Sequence, residues 1–237
     1  MEKIIYVLSK KDSMLKEDFK NLLLDEVSKQ ILWLGIHALS VSVDDDRVSP
    51  AKSLRQVNVP PDIHGIISIF LNTHMDRGPI ENIIGQYVAT FSGYLVVESV
   101  PIVNTAHPGG QGKATPGMNQ VAFLSKTDGL SYDEFIKIWQ TEHTRVAIET
   151  QSTFRYVQNV AVRPLTKNAP HWEGIVEEGF PESAMTDQSI FFDAVNDPVK
   201  LKANQDRMLL SVLRFLDISR INVIPMSEYV IKETGKG

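Results

Sequence analysis

Leu124-Ser125-Lys126-Thr127-Asp128-Gly129-Leu130-Ser131-Tyr132-Asp133-Glu134-Phe135 restates a run met earlier in the chain, Leu8-Ser9-Lys10-Lys11-Asp12-Ser13-Met14-Leu15-Lys16-Glu17-Asp18-Phe19. Leu8, Ser9, Lys10, Asp12, Phe19 and Glu26 recur identically as Leu124, Ser125, Lys126, Asp128, Phe135 and Glu142. The offset is 116 residues (position 8 to position 124) in a chain of 237, close to half its length. A repeat on that scale predicts a tandem duplication and frames every later assignment.

Working outward, each copy opens on a short apolar run, Ile4–Leu8 and Val121–Leu124, bounded by turn residues and read as a strand. A helix follows. Phe135, Ile138, Trp139, Glu142 and Val146 fall at helical spacing, as do Phe19, Leu22, Leu23, Glu26 and Val27. Ser131 and Glu134 form a capping-box start in the second copy, whereas Leu15 stands at the equivalent place in the first. Then come two β-branched and aromatic runs per copy, Ile36–Val43 and Ile63–Leu71, and Phe154–Val162 and Trp172–Phe180. A second helical stretch (Pro79–Val88; Glu182–Leu216) and a last strand (Tyr94–Val103; Ile221–Ile231) complete each order as β-α-β-β-α-β.

The expected fold class is therefore α+β, with two ferredoxin-like repeats. The first spans residues 1–103 and the second 118–237. Residues 104–117, with Pro108, Gly109, Gly110, Gly112, Pro116 and Gly117, read as a linker. A sheet with both helices on one face leaves the other bare, so the two sheets should pack bare face to bare face as an intrachain α/β barrel. The polar stretch 44–62 reads as a surface flap, either a lid or a plain excursion.

Composition excludes several function classes. With 24 Lys+Arg against 29 Asp+Glu the net charge is −5, which argues against a dedicated nucleic-acid binder. Cysteine is absent, which removes disulfides, thiolate nucleophiles and Cys-ligated metals. No apolar run reaches the roughly 18–20 residues of a membrane span, and the expectation is a soluble, cytoplasmic protein. His37, His64, His74, His107 and His171 are scattered without metal-ligand spacing, so no metal site is expected.

The stretch Leu130–Asn159 resembles the EthD-like family of the dimeric α/β-barrel superfamily. The resemblance is carried by Leu130–Phe135, Trp139, Glu142-His143 and Arg155-Tyr156-Val157-Gln158-Asn159, with Trp172–Glu178 similar to the family's Gly-containing third strand. In the first copy Val27 aligns with His143 and Leu23 with Trp139, so that copy has lost the motif. The family's histidine is commonly followed by a small residue and a proline, where this chain has Thr144-Arg145. Family members usually associate as dimers of one such unit; here duplication would supply both halves, and a further homodimer is open.

The resemblance implies a small-molecule enzyme: a cofactor-independent isomerase, dehydratase or cyclase acting on an aromatic, lactone or polyketide-like substrate in the barrel interior. Two alternatives stand beside it. One is an oxidoreductase or accessory protein of ether or xenobiotic degradation, the other a noncatalytic binding protein. Its catalytic candidates are His143 as acid/base, Tyr156 as donor to a carbonyl oxygen and Glu142 as orienting group. Trp139, Gln158, Asn159 and Glu173 are the substrate-binding candidates. Each has a structural alternative: His143 an inert histidine near a helix end, Glu142 a contact shared with Glu26. Alternation puts Tyr156 and Gln158 on one strand face and Arg155 and Asn159 on the other, without saying which lines the barrel. Glu173, Glu177 and Glu178 are further polar candidates, expected to face solvent as strand carboxylates commonly do.

Overall fold

A computed structural model describes residues 1–233 and Gly235. In the first half β1 (Glu2–Ser9) leads into a helix, α1, built of Lys16–Asn21, a wider π-turn segment Leu22–Val27, and Ser28–Leu32. Then follow β2 (Ala38–Val43), a 3₁₀ segment Asp46–Leu54, the two-residue β3 (Gln56–Val57), β4 (Gly65–Leu71), α2 (Gly78–Tyr87) and β5 (Thr90–Ile102). The second half runs β6 (Met118–Leu124), then α3, in which Ile138–His143 is a π segment between Tyr132–Lys137 and Thr144–Thr150. It continues with β7 (Arg155–Pro164), β8 (Gly174–Phe180), α4 (Gln188–Phe191), α5 (Pro198–Val212) and β9 (Asn222–Lys232).

The sheet order is β2-β4-β1-β5-β7-β8-β6-β9, and β9 pairs back onto β2. Every pairing is antiparallel. Eight long strands thus close into a barrel, with β3 added beside β9. The two sheets do more than lie face to face. Their edges are hydrogen-bonded at two seams, β5–β7 and β2–β9, and closure leaves no long edge strand open to pair with another chain.

Alternation along the strands sorts side chains into an inner and an outer core. Ile5, Val7, Tyr94, Phe123, Ile175 and Met226 point inward and plug one half of the barrel. Their neighbours Ile4, Tyr6 and Leu8 point outward, under Phe19, Leu23 and Val27 of α1. In the second half Leu124, Tyr156 and Val176 meet Phe135 and Trp139 of α3 and Phe215 just beyond α5 in the same outer layer. No helix among the described residues is long and apolar enough to cross a membrane.

Three expectations change here. The stretch Glu182–Leu216 is not one helix: Asp193 and Asn196 take left-handed backbone (φ 46° and 60°), and α5 begins afresh at Pro198 with Asp197 as its cap. The segment 44–62 is no free flap, because Val48 and Ala51 are buried against Met118, Phe180 and Met185. Part of the linker is zipped onto β9, with amides of Gly112 and Thr115 donating to the carbonyls of Val230 and Glu228 at 2.8 Å. The capping box at Ser131 forms as read, and Leu15 caps nothing.

Candidate functional site

The π segment of α3 decides which side chains face the sheet. One extra residue in that turn rotates everything after it by roughly 100°, so a stripe counted at α-helical spacing goes out of register. Trp139 remains buried, His143 turns inward and Glu142 turns outward, where it pairs with Arg214 at 2.7 Å. The expected place of Glu142 at the centre of the apolar stripe is therefore corrected, as is that of exposed Glu26. The wide turn is held by the Thr144 hydroxyl, which donates to the Trp139 carbonyl at 2.8 Å and accepts from Gln158 Nε2 at 2.7 Å.

Strand parity is also settled. Tyr156, Gln158 and Glu178 point outward toward the helices, while Arg155, Asn159 and Glu177 point into the barrel. The expected site residues consequently fall in three places. Trp139, His143, Tyr156 and Gln158 gather between sheet and helices. Asn159 lies in the barrel, accepting from Lys3 at 2.7 Å and donating to Glu177 at 3.2 Å. Glu173 immediately precedes β8, beside the end of β6, where its carboxylate accepts the Lys126 amide at 3.0 Å, and it does not line the cavity described next. A substrate in the barrel interior beside His143 is ruled out, because the sheet itself stands between them.

The cavity between sheet and helices has a volume of about 230 Å³. Its walls are mainly apolar, with Trp139, Phe191, Met208, Val212 and Phe215 among them. Into this surface project His143, Tyr156, Glu178, Gln120 and Gln151. Glu178 stands directly between Tyr156 of β7 and Gln120 of β6 in the strand register, so three polar side chains form one row across the cavity floor.

Their electrostatics follow from burial. Among the described residues no cation pairs with Glu178, and desolvation pushes its carboxyl up to about 7. Burial lowers His143 to about 4, so its imidazole is neutral at physiological pH. Nδ1 of that ring lies 2.9 Å from the Ser211 hydroxyl, which fixes the ring plane, and Phe215 packs on it at 4.9 Å. The Tyr156 hydroxyl, surrounded by Gln158, Thr144 and Trp139, is pushed up by burial and by Glu178. Gln151 Oε1 and Trp139 Nε1 are buried in this wall without a hydrogen-bond partner.

Gly174 at the start of β8 makes room for the indole: a Cβ there would lie 2.4 Å from Trp139 Cη2. Glu178 is the residue that sequence reasoning undervalued. Its parity with Tyr156 on a paired strand was the available signal, but the burial of that face depends on the helices above it. Glu173 and Glu177 are likewise buried, not solvent-facing.

Fold and pocket together define the class: an antiparallel α/β barrel with helices outside and a sheet–helix cavity in its second half. Residues 127–209, most of that half, match the model of the EthD domain. No curated protein matches the chain. Among solved structures it is similar to an anthrone oxidase-like protein (10% identity, TM-score 0.54, covering 98% of this chain and 94% of the other). It is also similar to a "putative monooxygenase" from Lactobacillus acidophilus NCFM (9% identity, TM-score 0.50, covering 98% and 96%). At such identities the likeness is one of fold.

Proposed function

We propose that the sheet–helix cavity is the active site of a small-molecule enzyme that moves protons on a compact aromatic, lactone or polyketide-like substrate. The observation that carries this reading is Glu178, a buried carboxyl without a counter-ion, poised near neutrality in an apolar cavity beside a neutral histidine. Groups so placed are matched to general acid/base work, which contributes on the order of 10²–10⁴ in rate. In the ionised form Glu178 takes a proton from an acidic C–H or O–H of the substrate. The Tyr156 hydroxyl and the Trp139 indole N–H donate to the oxygen on which charge develops, and the neutral His143 accepts from a substrate hydroxyl. Gln158 acts at one remove, through Thr144. Glu142 has no part in this scheme, and Asn159 and Glu173 lie outside it.

The chemistry assigned here is supplied by the chain alone.

The first half contributes closure and no chemistry in this reading. Its π segment and that of the second half lie at the same 116-residue offset (Leu22 to Ile138), and Ser28 bonds the Leu23 carbonyl as Thr144 bonds that of Trp139. These paired details support two ferredoxin-like repeats, 1–103 and 118–237, from a tandem duplication in which Val27 replaced the histidine. An acidic chain without cysteine suits the cytoplasm.

Thermal-shift titration of wild type, His143→Ala and Glu178→Gln with phenols, lactones and polyketide-like aromatics tests the site. A ligand at a hundredfold its dissociation constant stabilises by about 2.7 kcal/mol. Stabilisation of wild type, much reduced in both folded variants, is expected. Equal binding by both variants would remove the cavity from the function.

A second reading, an oxidoreductase, is favoured by the descriptions of the two similar structures. It shares the first step, since the same deprotonation gives an electron-rich anion that dioxygen can oxidise. Oxygen uptake during turnover separates the two readings, because isomerisation and dehydration consume none.

A further inference from the structure

The barrel interior is apolar at one half and charged at the other. At the charged end, below the linker residues Pro108 and Gly109, lies a cavity of about 250 Å³, separate from the one holding His143. Lys3 reaches Glu98 at 2.5 Å and Glu177 at 3.5 Å, and Arg155 reaches Glu228 at 2.8 Å and Glu177 at 3.3 Å. Burial alone would raise Glu177, but Lys3, Arg155 and Asn159 hold it down at about 2, so it is ionised throughout the neutral range.

Two cations therefore face three carboxylates. Lys232 also lies at the rim. Lys232 is turned away, its ammonium donating to the Ile36 carbonyl at 2.8 Å. Glu177 and Glu228 are buried and Glu98 stands exposed at the mouth, so the surplus negative charge is placed to meet a cation arriving from solvent. A second, independent feature lies on the same wall: Ser68, 4% exposed, lines the cavity with its hydroxyl lacking any hydrogen-bond partner. Among the described residues no three carboxylate or histidine groups converge to hold a metal ion. The compensating charge thus suits a molecule better than a bare ion, and Phe70 and Val230 offer it an apolar wall.

We propose that this barrel-mouth cavity binds a small organic amine. Its ammonium lies between Glu98 and Glu228 and donates to the Ser68 hydroxyl, while its carbon skeleton rests on Phe70 and Val230. The site is independent of the sheet–helix cavity and of the reaction proposed there.

Isothermal calorimetry with phenethylamine as probe, against phenethyl alcohol and phenylacetate, tests the proposal. Saturable amine binding is expected, with the alcohol and the carboxylate at least tenfold weaker. Glu98→Gln should weaken phenethylamine at least tenfold, and Ser68→Ala several-fold. Both should leave aromatic-ligand binding at the His143 cavity unchanged, which shows that the variants are folded. Absence of amine binding, equal binding of phenylacetate, or unaltered affinity in folded Glu98→Gln would each overturn it.

Discussion

Glu178 shows how far environment can move one side chain. Its folded pKa near 7 lies above the carboxylate value of about 4.5 expected in the unfolded chain. The folded state therefore holds the proton more tightly. Stability is unpenalised below about pH 4.5, falls as pH rises through 7, and carries the full cost above it. A shift of that size is worth on the order of 3 kcal/mol. Glu178→Gln should accordingly raise the melting temperature at pH 8 more than at pH 4.5 while abolishing turnover. As a base, Glu178 should make kcat/KM rise through about pH 7 and level off. His143 works in the opposite sense: depressed to about 4, it contributes stability that is present above about pH 6.5 and lost as pH falls through 4. Both residues could be singled out in the sequence as titratable. Their protonation states could not, because desolvation is a property of what packs around them.

At the scale of elements, the π segment of α3 is the feature that builds the site. Thr144→Val removes the hydroxyl that bridges the Trp139 carbonyl and Gln158 Nε2. Its cost should be about 1–3 kcal/mol in denaturant unfolding, with a loss of ligand affinity as His143 shifts. Ser28→Ala, the same change in α1, should cost a similar amount of stability and leave binding untouched. Gly174→Ala forces the indole aside and should weaken aromatic ligands tenfold or more by thermal shift, with β8 still paired. The start of the apolar stripe, Phe135 and Trp139, and the Ser131 cap of α3 were legible in the sequence. The inserted turn was not, because propensity does not distinguish a π turn from an α turn. On that one residue Glu142 left the apolar stripe, while His143 moved from its edge into the buried face.

For the whole molecule, closure depends on charges that no local pattern reveals. Lys3 and Arg155 come from the starts of β1 and β7 and meet on Glu177 of β8. Lys3→Met leaves Glu177 buried with one partner fewer and should cost about 3–5 kcal/mol. Glu177 is held well below its unfolded value, so its contribution is present above about pH 4.5 and lost as pH falls toward 2. Acid unfolding monitored by circular dichroism should move to higher pH in that variant.

The sequence by itself determined the order of the main strands and helices, the helix start at Ser131 and the two-residue alternation along each strand, because these rest on local periodicity and capping chemistry. Only the tertiary structure decided which strand face became the barrel, that β2–β9 and β5–β7 closed it, that Glu178 went under helices instead of into water, and that His143 looked into a cavity. Those outcomes depend on contacts between residues far apart in the chain, and on the dielectric those contacts create.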